Sequence, residues 1–225
     1  KQLENYRREF LGNVSHELKT PIFAIQGFTE TLLDGALDDP AVNRPFLEKI
    51  LTNAARLNTL SRDLSEISKL ETGQLKMRVE AFDLGGLVRE VLEGLELAAA
   101  QKQITLFVHL PPGLPAVLAD RERIRQVLTN LVDNAIKYNN PAGRVEVVAR
   151  PMPGQRQVRL SVVDDGIGIP PDAIPRLTER FYRVDKSRSR EQGGTGLGLA
   201  IVKHILDAHG TTLHVESEPG RGSKF

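Results

Sequence analysis

The chain contains no cysteine among its 225 residues, which excludes disulfides, thiolate metal sites and cysteine nucleophiles. It also lacks an excess of either charge: 30 basic side chains face 29 acidic ones, for a formal net charge of +1. Neither the electrostatic footprint of a nucleic-acid binder nor an acidic tail is present, so no nucleic-acid partner is expected. No uninterrupted apolar run approaches the ~18 to 20 residues that a membrane span needs, and the opening KQLENYRREF is too polar for a signal peptide. Internal repeats, low-complexity tracts and long flexible linkers are absent as well. What remains is an ordinary globular composition, long enough for one large domain or two modest ones.

The two halves follow different patterns. From Tyr6 to about Glu71 strand signals are scarce and apolar residues recur in heptads. Leu11, Leu18, Ile25 and Leu32 fill the a positions of a first helix, with Val14, Pro21 and Phe28 at d. Ile50, Leu57 and Leu64 at a, with Phe46, Leu60 and Ile67 at d, do the same for a second, where Asn53 is a polar intrusion at d. The intervening DGALDDPAVNRP is rich in turn formers and predicts an antiparallel hairpin, with Gly73 suited to cap the second helix. A lone two-helix hairpin buries too little apolar surface to stand alone, so two copies should pair as a four-helix bundle, making a homodimer.

After about Glu80, strand-like alternations (QITLFVHL, GRVEVVAR, VRLSVVDD, TTLHVES) alternate with helical patterns (LGGLVREVLEGLELAAAQ, RERIRQVLTNLVDNAIKY, GLGLAIVKHILDAHG). The expected fold class is α+β: a helical hairpin over residues 1–75, followed over residues 76–225 by an α/β domain whose helices cover a sheet.

In FLGNVSHELKTP the heptad frame places His16 at f, away from the seam. An exposed position suits a reagent, because a neutral imidazole nitrogen is a competent nucleophile near pH 7. Glu17 stands beside it, able to orient the ring or take its proton, and the hydroxyl of Thr20 shares its face at i+4. Pro21 removes a helical hydrogen bond and should kink or loosen this turn. An incidental surface histidine is the competing reading.

A donor for such an acceptor would have to come from the second half, which has no phosphate loop ending in Lys-Ser/Thr. It does carry NLVDNAIKY, in which Asn130, Asn134 and Lys137 share a helix face; amide oxygens suit Mg²⁺ and an ammonium suits phosphate, although a solvated polar face would look the same. VVDDGIGIP ends a hydrophobic strand in Asp164, Gly166 and Gly168. That delivers a carboxylate able to accept from an exocyclic amine together with bare backbone for close approach, or simply an Asp-Gly turn. RFYRVDKSRS is basic and aromatic, and GGTGLGL opens a helix. The remaining histidines, His109, His204, His209 and His214, have no ligand-spaced partners, and Phe10, Phe28 and Phe46 read as core.

FLGNVSHELKTP resembles the phosphoacceptor box of the sensor histidine kinases of two-component signalling, and the four later segments, in their order, resemble that family's ATP-binding boxes. The resemblance spans nearly the whole chain. It implies a sandwich fold shared with gyrase, mismatch-repair and chaperone ATPases, autophosphorylation of His16 by Mg²⁺-ATP and transfer to an aspartate of a response-regulator receiver domain. Glu17 would be the general base, and Thr20 would position water in a phosphatase reaction on the same partner. Asn134 would hold Mg²⁺, Asn130, Lys137 and Arg183 would meet the phosphates, Tyr138 would pack by the base and Asp164 would read adenine. Gly194, Gly196 and Gly198, with Thr195, Leu197 and Leu199 between and after them, would shape a lid. Thr178 and His209-Gly210-Thr211 depart from the family pattern, and the strand that usually follows SEPGRGSKF is missing. The chain is expected to be the cytoplasmic portion of a longer, membrane-anchored bacterial sensor kinase, reaching the membrane only through segments outside this sequence.

Overall fold

Helix α1 (Gln2–Leu33) and helix α2 (Asn43–Glu71) form the antiparallel hairpin that the heptads predict. The computed structural model describes residues 2–72, 77–185 and 194–225. Gly73 and the boundary expected between residues 75 and 76 lie outside the described residues. Between the helices Gly35 adopts φ 117°, a conformation open to glycine, and leads into a short turn at Ala36–Asp38. The rings of Phe28 and Phe46 meet 5.3 Å apart near this turn. Helix α1 continues past Pro21, the position where a kinked or loosened turn is expected. The proline is buried, and packing of its ring offsets the one missing N–H.

The second half builds β1 (Val79–Phe82), α3 (Leu84–Gln101), β2 (Thr105–His109), β3 (Val117–Asp120), α4 (Arg121–Lys137), β4 (Arg144–Pro151), β5 (Val158–Asp164), α5 (Gly198–Ala208), β6 (Glu216–Glu218) and β7 (Gly222–Lys224). A five-stranded sheet runs in the order β2-β4-β5-β7-β6, parallel between β2 and β4 and antiparallel elsewhere. Strands β1 and β3 pair separately as an antiparallel ribbon that the sequence pattern did not announce. The alternation in β4 turns Val145, Val147 and Ala149 inward, fully buried, against α3, α4 and α5. Leu87, Val88, Leu128, Val132, Ile201 and Ile205 answer them from the helices. This is the helical hairpin plus α/β sandwich expected.

Side-chain caps start two of the helices. Asp83 accepts from Gly85 and Gly86 N–H at the start of α3, and Asp120 from Arg123 N–H at the start of α4; each such cap contributes about 1 kcal/mol. Of the expected strand TTLHVES only Glu216 and Ser217 enter a ladder, which Glu218 continues, because β7 offers partners to those three residues alone.

The hairpin is docked on the sheet domain through α2. Leu60 and Ile67, which the heptad frame assigned to the seam, are 1% exposed and belong to the same buried cluster as the sheet domain's core. Glu66 of α2 is ion-paired with Arg123 of α4. Phe10, expected as core, packs its ring against Phe181 of the sheet domain, with tilted rings and centroids 5.8 Å apart. The hairpin leaves Leu11, Phe23, Leu33, Leu47 and Leu51 more than half exposed.

Candidate active site

The C-terminal end of α4 sets one wall of a cavity. Helical spacing brings Asn130, Asn134 and Lys137 to one face, and the helix closes at Tyr138, whose carbonyl accepts from Ile167 N–H at 3.2 Å. Strand β5 ends beside it at Asp164, which accepts from Gly166 N–H at 2.9 Å. Burial pushes the Asp164 carboxyl up to about 6, against the pull of the Gly166 and Ser223 N–H groups and with a further push from Asp165. Gly168, at φ +66°, passes so close to Glu218 that a Cβ would sit 2.0 Å from its carbonyl oxygen.

The opposite wall is the turn into α5. Asn130 Nδ2 donates to Gly198 O at 3.4 Å, joining the two walls. Gly196, at φ +75°, lies against Phe181, and Phe181 N–H donates to Gly196 O at 2.8 Å. Phe181 itself takes φ 63°, an uncommon conformation for a side-chain-bearing residue that holds this loop against the turn.

Together these elements enclose about 240 Å³, lined by Asn130, Asn134, Lys137, Tyr138, Asp164, Gly168, Arg183, Gly194, Thr195, Gly196, Gly198 and Leu199. Gly166 and Leu197 support it from behind: Gly166 abuts Tyr138 O, and Leu197 is fully buried at the start of α5. Lys186–Ser189 and Gly193, parts of two segments singled out in the sequence, lie outside the described residues.

His16 is exposed on α1, as its f position predicts, and neither it nor Thr20 lines the cavity. The Thr20 hydroxyl donates back to His16 O at 3.1 Å. Glu17 is not an unengaged base: Arg56 Nη2 of α2 reaches its Oε2 at 2.8 Å, and Arg183 Nη2 reaches the same oxygen at 3.0 Å. Arg183, expected to face phosphate, therefore spends its guanidinium on Glu17 and on Gly194 O, at 2.6 Å. Its Nε is buried without a hydrogen-bond partner. Lys137 is likewise paired, with Asp133 at 2.6 Å.

Three participants went unread in the sequence. Thr59 and Asp63 of α2 line the cavity, and the Thr195 hydroxyl donates to Asp63 Oδ2 at 2.7 Å. Burial raises the Asp63 carboxyl above its ordinary range, while Thr195, Arg62 and Lys137 pull it back. Arg56 is the third. The only available signal was polar residues at 59, 63 and 66 on the helical spacing of a second contact face.

The donor set fits a metal-bound nucleotide. A buried carboxylate and glycine-walled backbone lie by Tyr138, and amide oxygens, an ammonium and a buried guanidinium with an unused N–H lie by the glycine turn. Among the described residues no three His, Cys, Asp or Glu cluster to hold a metal by themselves, so any cation relies on amide and phosphate oxygens.

Comparison with known proteins converges on the same chemistry. Residues 6–73 match the family described as His Kinase A (phospho-acceptor) domain, and residues 119–225 match Histidine kinase-, DNA gyrase B-, and HSP90-like ATPase. Over its whole length the chain is 41% identical to the sensor-like histidine kinase SenX3 of Mycolicibacterium smegmatis, covering 57% of that protein. It is 39% identical to the phosphate regulon sensor protein PhoR of Pseudomonas aeruginosa, covering 50% of that one. The chain thus spans about half the length of the curated relatives it matches. Among solved structures it resembles the Acinetobacter baumannii histidine kinase AdeS, with a TM-score of 0.75 and 30% identity over 93% of this chain and 94% of that one. It also resembles the histidine kinase ThkA in complex with the response regulator protein TrrA, with a TM-score of 0.78 and 28% identity, covering 96% of this chain and 59% of that one.

Proposed function

This chain belongs to the sensor histidine kinases, and on that premise we propose that it binds Mg²⁺-ATP in the cavity, phosphorylates its own His16 and passes the group to an aspartate of a response-regulator receiver domain. One observation carries this reading: the cavity that gathers Asn130, Asn134, Lys137 and Asp164 is roofed by Arg183, and Arg183 is bonded to Glu17, the residue next to His16.

In the first step an imidazole nitrogen of His16 attacks the γ-phosphorus. The N–P bond forms as the bond from that phosphorus to the β,γ-bridging oxygen breaks, ADP leaves, and the ring proton goes to Glu17. The residues here mainly position the reactants and neutralise charge. Asp164 accepts from the adenine amine beside Tyr138. Asn130, Lys137 and Arg183 meet the phosphates, and the turn from Gly194 to Leu199 covers them at the start of α5. Asn134 would hold Mg²⁺ through its amide oxygen, and the cation would supply countercharge for the triphosphate. Because His16 does not line the cavity and Glu17 is held by two arginines, the docked arrangement must open before transfer. The units over residues 1–75 and 76–225 therefore move as separate bodies.

The apolar side chains that the hairpin leaves exposed support a homodimer through a four-helix bundle. The greater length of the curated relatives supports a longer protein, and the family resemblance supports reading this portion as the cytoplasmic part of a membrane-anchored sensor. No helix among the described residues is long and apolar enough to cross a membrane. Dephosphorylation of the regulator is a second activity of the same surface. The docked state supports it, since His16 and the Thr20 turn stay accessible while Glu17 is withdrawn from base duty.

The test is incubation with Mg²⁺ and γ-labelled ATP, with His16→Gln alongside. Acid-labile, base-stable label that is lost in the variant is expected. Label that persists in His16→Gln, or none at all despite ATP binding, overturns the autokinase reading.

A further inference from the structure

Among the described residues, little unpaired positive charge faces the phosphate end of the cavity. Of the charged residues lining the cavity, Lys137 and Arg183 are cations, against Asp63, Asp133, Asp164 and Asp185. Both cations are already ion-paired, Lys137 with Asp133 at 2.6 Å and Arg183 with Glu17 at 3.0 Å. Among the described residues that line the cavity, carboxylates outnumber cations.

One of these carboxylates comes from outside the sheet domain. Asp63 stands on α2 and reaches across the interface to Thr195, whose hydroxyl oxygen also accepts from Leu197 N–H at 3.3 Å. That N–H belongs to Leu197, the residue immediately before α5. Asp63 therefore faces the glycine turn rather than the adenine end, and Lys137 is close enough to act on its charge. Its placement is enforced by the same helix, since Leu60 and Ile67 are buried in the shared core and Glu66 is paired with Arg123.

We propose that Asp63 is a specificity-determining residue of the nucleotide cavity: its carboxylate, brought in by the docked hairpin, makes the site select the metal complex of a nucleoside polyphosphate over the free polyphosphate. The proposal rests on the nucleotide reading above and deepens it. The physical basis is Coulombic. Repulsion between Asp63 and a polyphosphate falls when a divalent cation neutralises part of the ligand's charge, and water is partly excluded from this interface. Replacing Asp63 by Asn removes the charge while leaving an oxygen to accept from Thr195, so the turn into α5 keeps its anchor.

The experiment is calorimetric titration of the full chain with ATP and with ADP at fixed ionic strength, each in excess Mg²⁺ and in EDTA, for the wild type, Asp63→Asn and Glu48→Gln. Asp63→Asn is expected to tighten binding of metal-free ATP by about five- to tenfold, with a smaller gain for metal-free ADP, and to change Mg²⁺-ATP binding by less than about twofold. Glu48→Gln removes an equal charge from an exposed position of the same helix and is expected to leave the preference for the metal complex unchanged. The proposal is overturned if Asp63→Asn keeps the wild-type preference or if Glu48→Gln shifts it equally. A loss confined to Mg²⁺-ATP overturns it in favour of direct metal ligation by Asp63. A wild-type chain that binds neither form overturns the nucleotide reading itself, and this inference with it, whereas binding with an unchanged preference defeats the inference alone.

Discussion

Arg183 and Glu17, separated by 166 residues in sequence, meet with Nη2 3.0 Å from Oε2, and the arginine side chain is only 4% exposed. The contact links the residue beside the acceptor histidine to the roof of the cavity. Removing either partner strands a charge in a place with little water, so the two variants should fail differently. Glu17→Gln removes the base and is expected to slow labelling of His16 by about 100-fold or more while ATP affinity stays within a few-fold. Arg183→Ala should weaken ATP binding as well, because the nucleotide loses its guanidinium. Labelling rates across an ATP titration separate the two. Wild-type labelling in Glu17→Gln would remove Glu17 from the mechanism.

On the proposed reading, Asp164 should give nucleotide binding a pH dependence opposite to its effect on folding. With its carboxyl pushed up to about 6, the folded chain takes up a proton there that the unfolded chain does not hold between about pH 4 and 6. Asp164 therefore favours folding below that window, and this contribution is lost as pH rises through it. If Asp164 reads the adenine amine as proposed, the ionised form is the stronger acceptor, so ATP affinity should drop by up to about tenfold between pH 7.5 and pH 5. Asp164→Asn should bind weakly with a flatter profile, and subtracting it isolates this group from titration of the nucleotide. Equal pH profiles for the two proteins would show that Asp164 does not read the base.

Asp120 makes the opposite case. Burial alone would raise its carboxyl, but N–H groups of Arg78 at 2.8 Å and Arg123 at 3.1 Å hold it below the ordinary range. Its own N–H donates to Nε2 of His209, whose Nδ1 contacts Ile205 O at 2.8 Å, so the start of α4 is tied to the end of α5. A lowered folded-state value means stabilisation that is fully present above the unfolded value near 4 and lost as pH falls through the folded one. Asp120→Ala should cost about 2 kcal/mol at pH 7, and the difference from wild type should shrink as the medium is acidified towards pH 3. Urea melts at both pH values measure it; a pH-independent difference would mean that the charge of Asp120 contributes nothing.

How much of this was legible depends on the range of the interaction. His16 at f, the amide face of α4 and the Asp164 turn are local patterns, readable because 3.6-residue and two-residue periods fix which side chains share a face. Helix α3 was legible to the residue, since an Asp cap and a continuous apolar face delimit it. Asp63, Arg56 and the partner of Arg183 were not. Each acts across a tertiary interface, and a polar residue on a heptad helix gives no sign of which surface it will meet. The β1 and β3 ribbon escaped because four-residue strands are too short to show a period. Leu60 and Ile67 misled for a related reason: the spacing that marks a dimer seam also suits a face buried by another domain.

Two glycines on opposite walls of the cavity should respond oppositely to alanine. At Gly168 a Cβ would lie 2.0 Å from Glu218 O and 2.9 Å from Pro219 Cα, both backbone atoms, and φ is +66°. Nothing flexible can yield there, so the turn must shift, carrying strand β6 with it, and both conformational and steric costs apply. At Gly198 a Cβ would meet Asn130 at 3.8 Å, an ordinary contact, in the first turn of a helix where alanine is favourable. Gly168→Ala is therefore expected to lower stability by roughly 3 kcal/mol or more and to abolish ATP binding. Gly198→Ala should fold at least as well as the wild type, so any loss of ATP affinity it shows reports a phosphate oxygen approaching the backbone within reach of the new methyl. Paired melting and ATP titrations decide between them, and tolerance of alanine at 168 would contradict the close approach of this turn to Glu218.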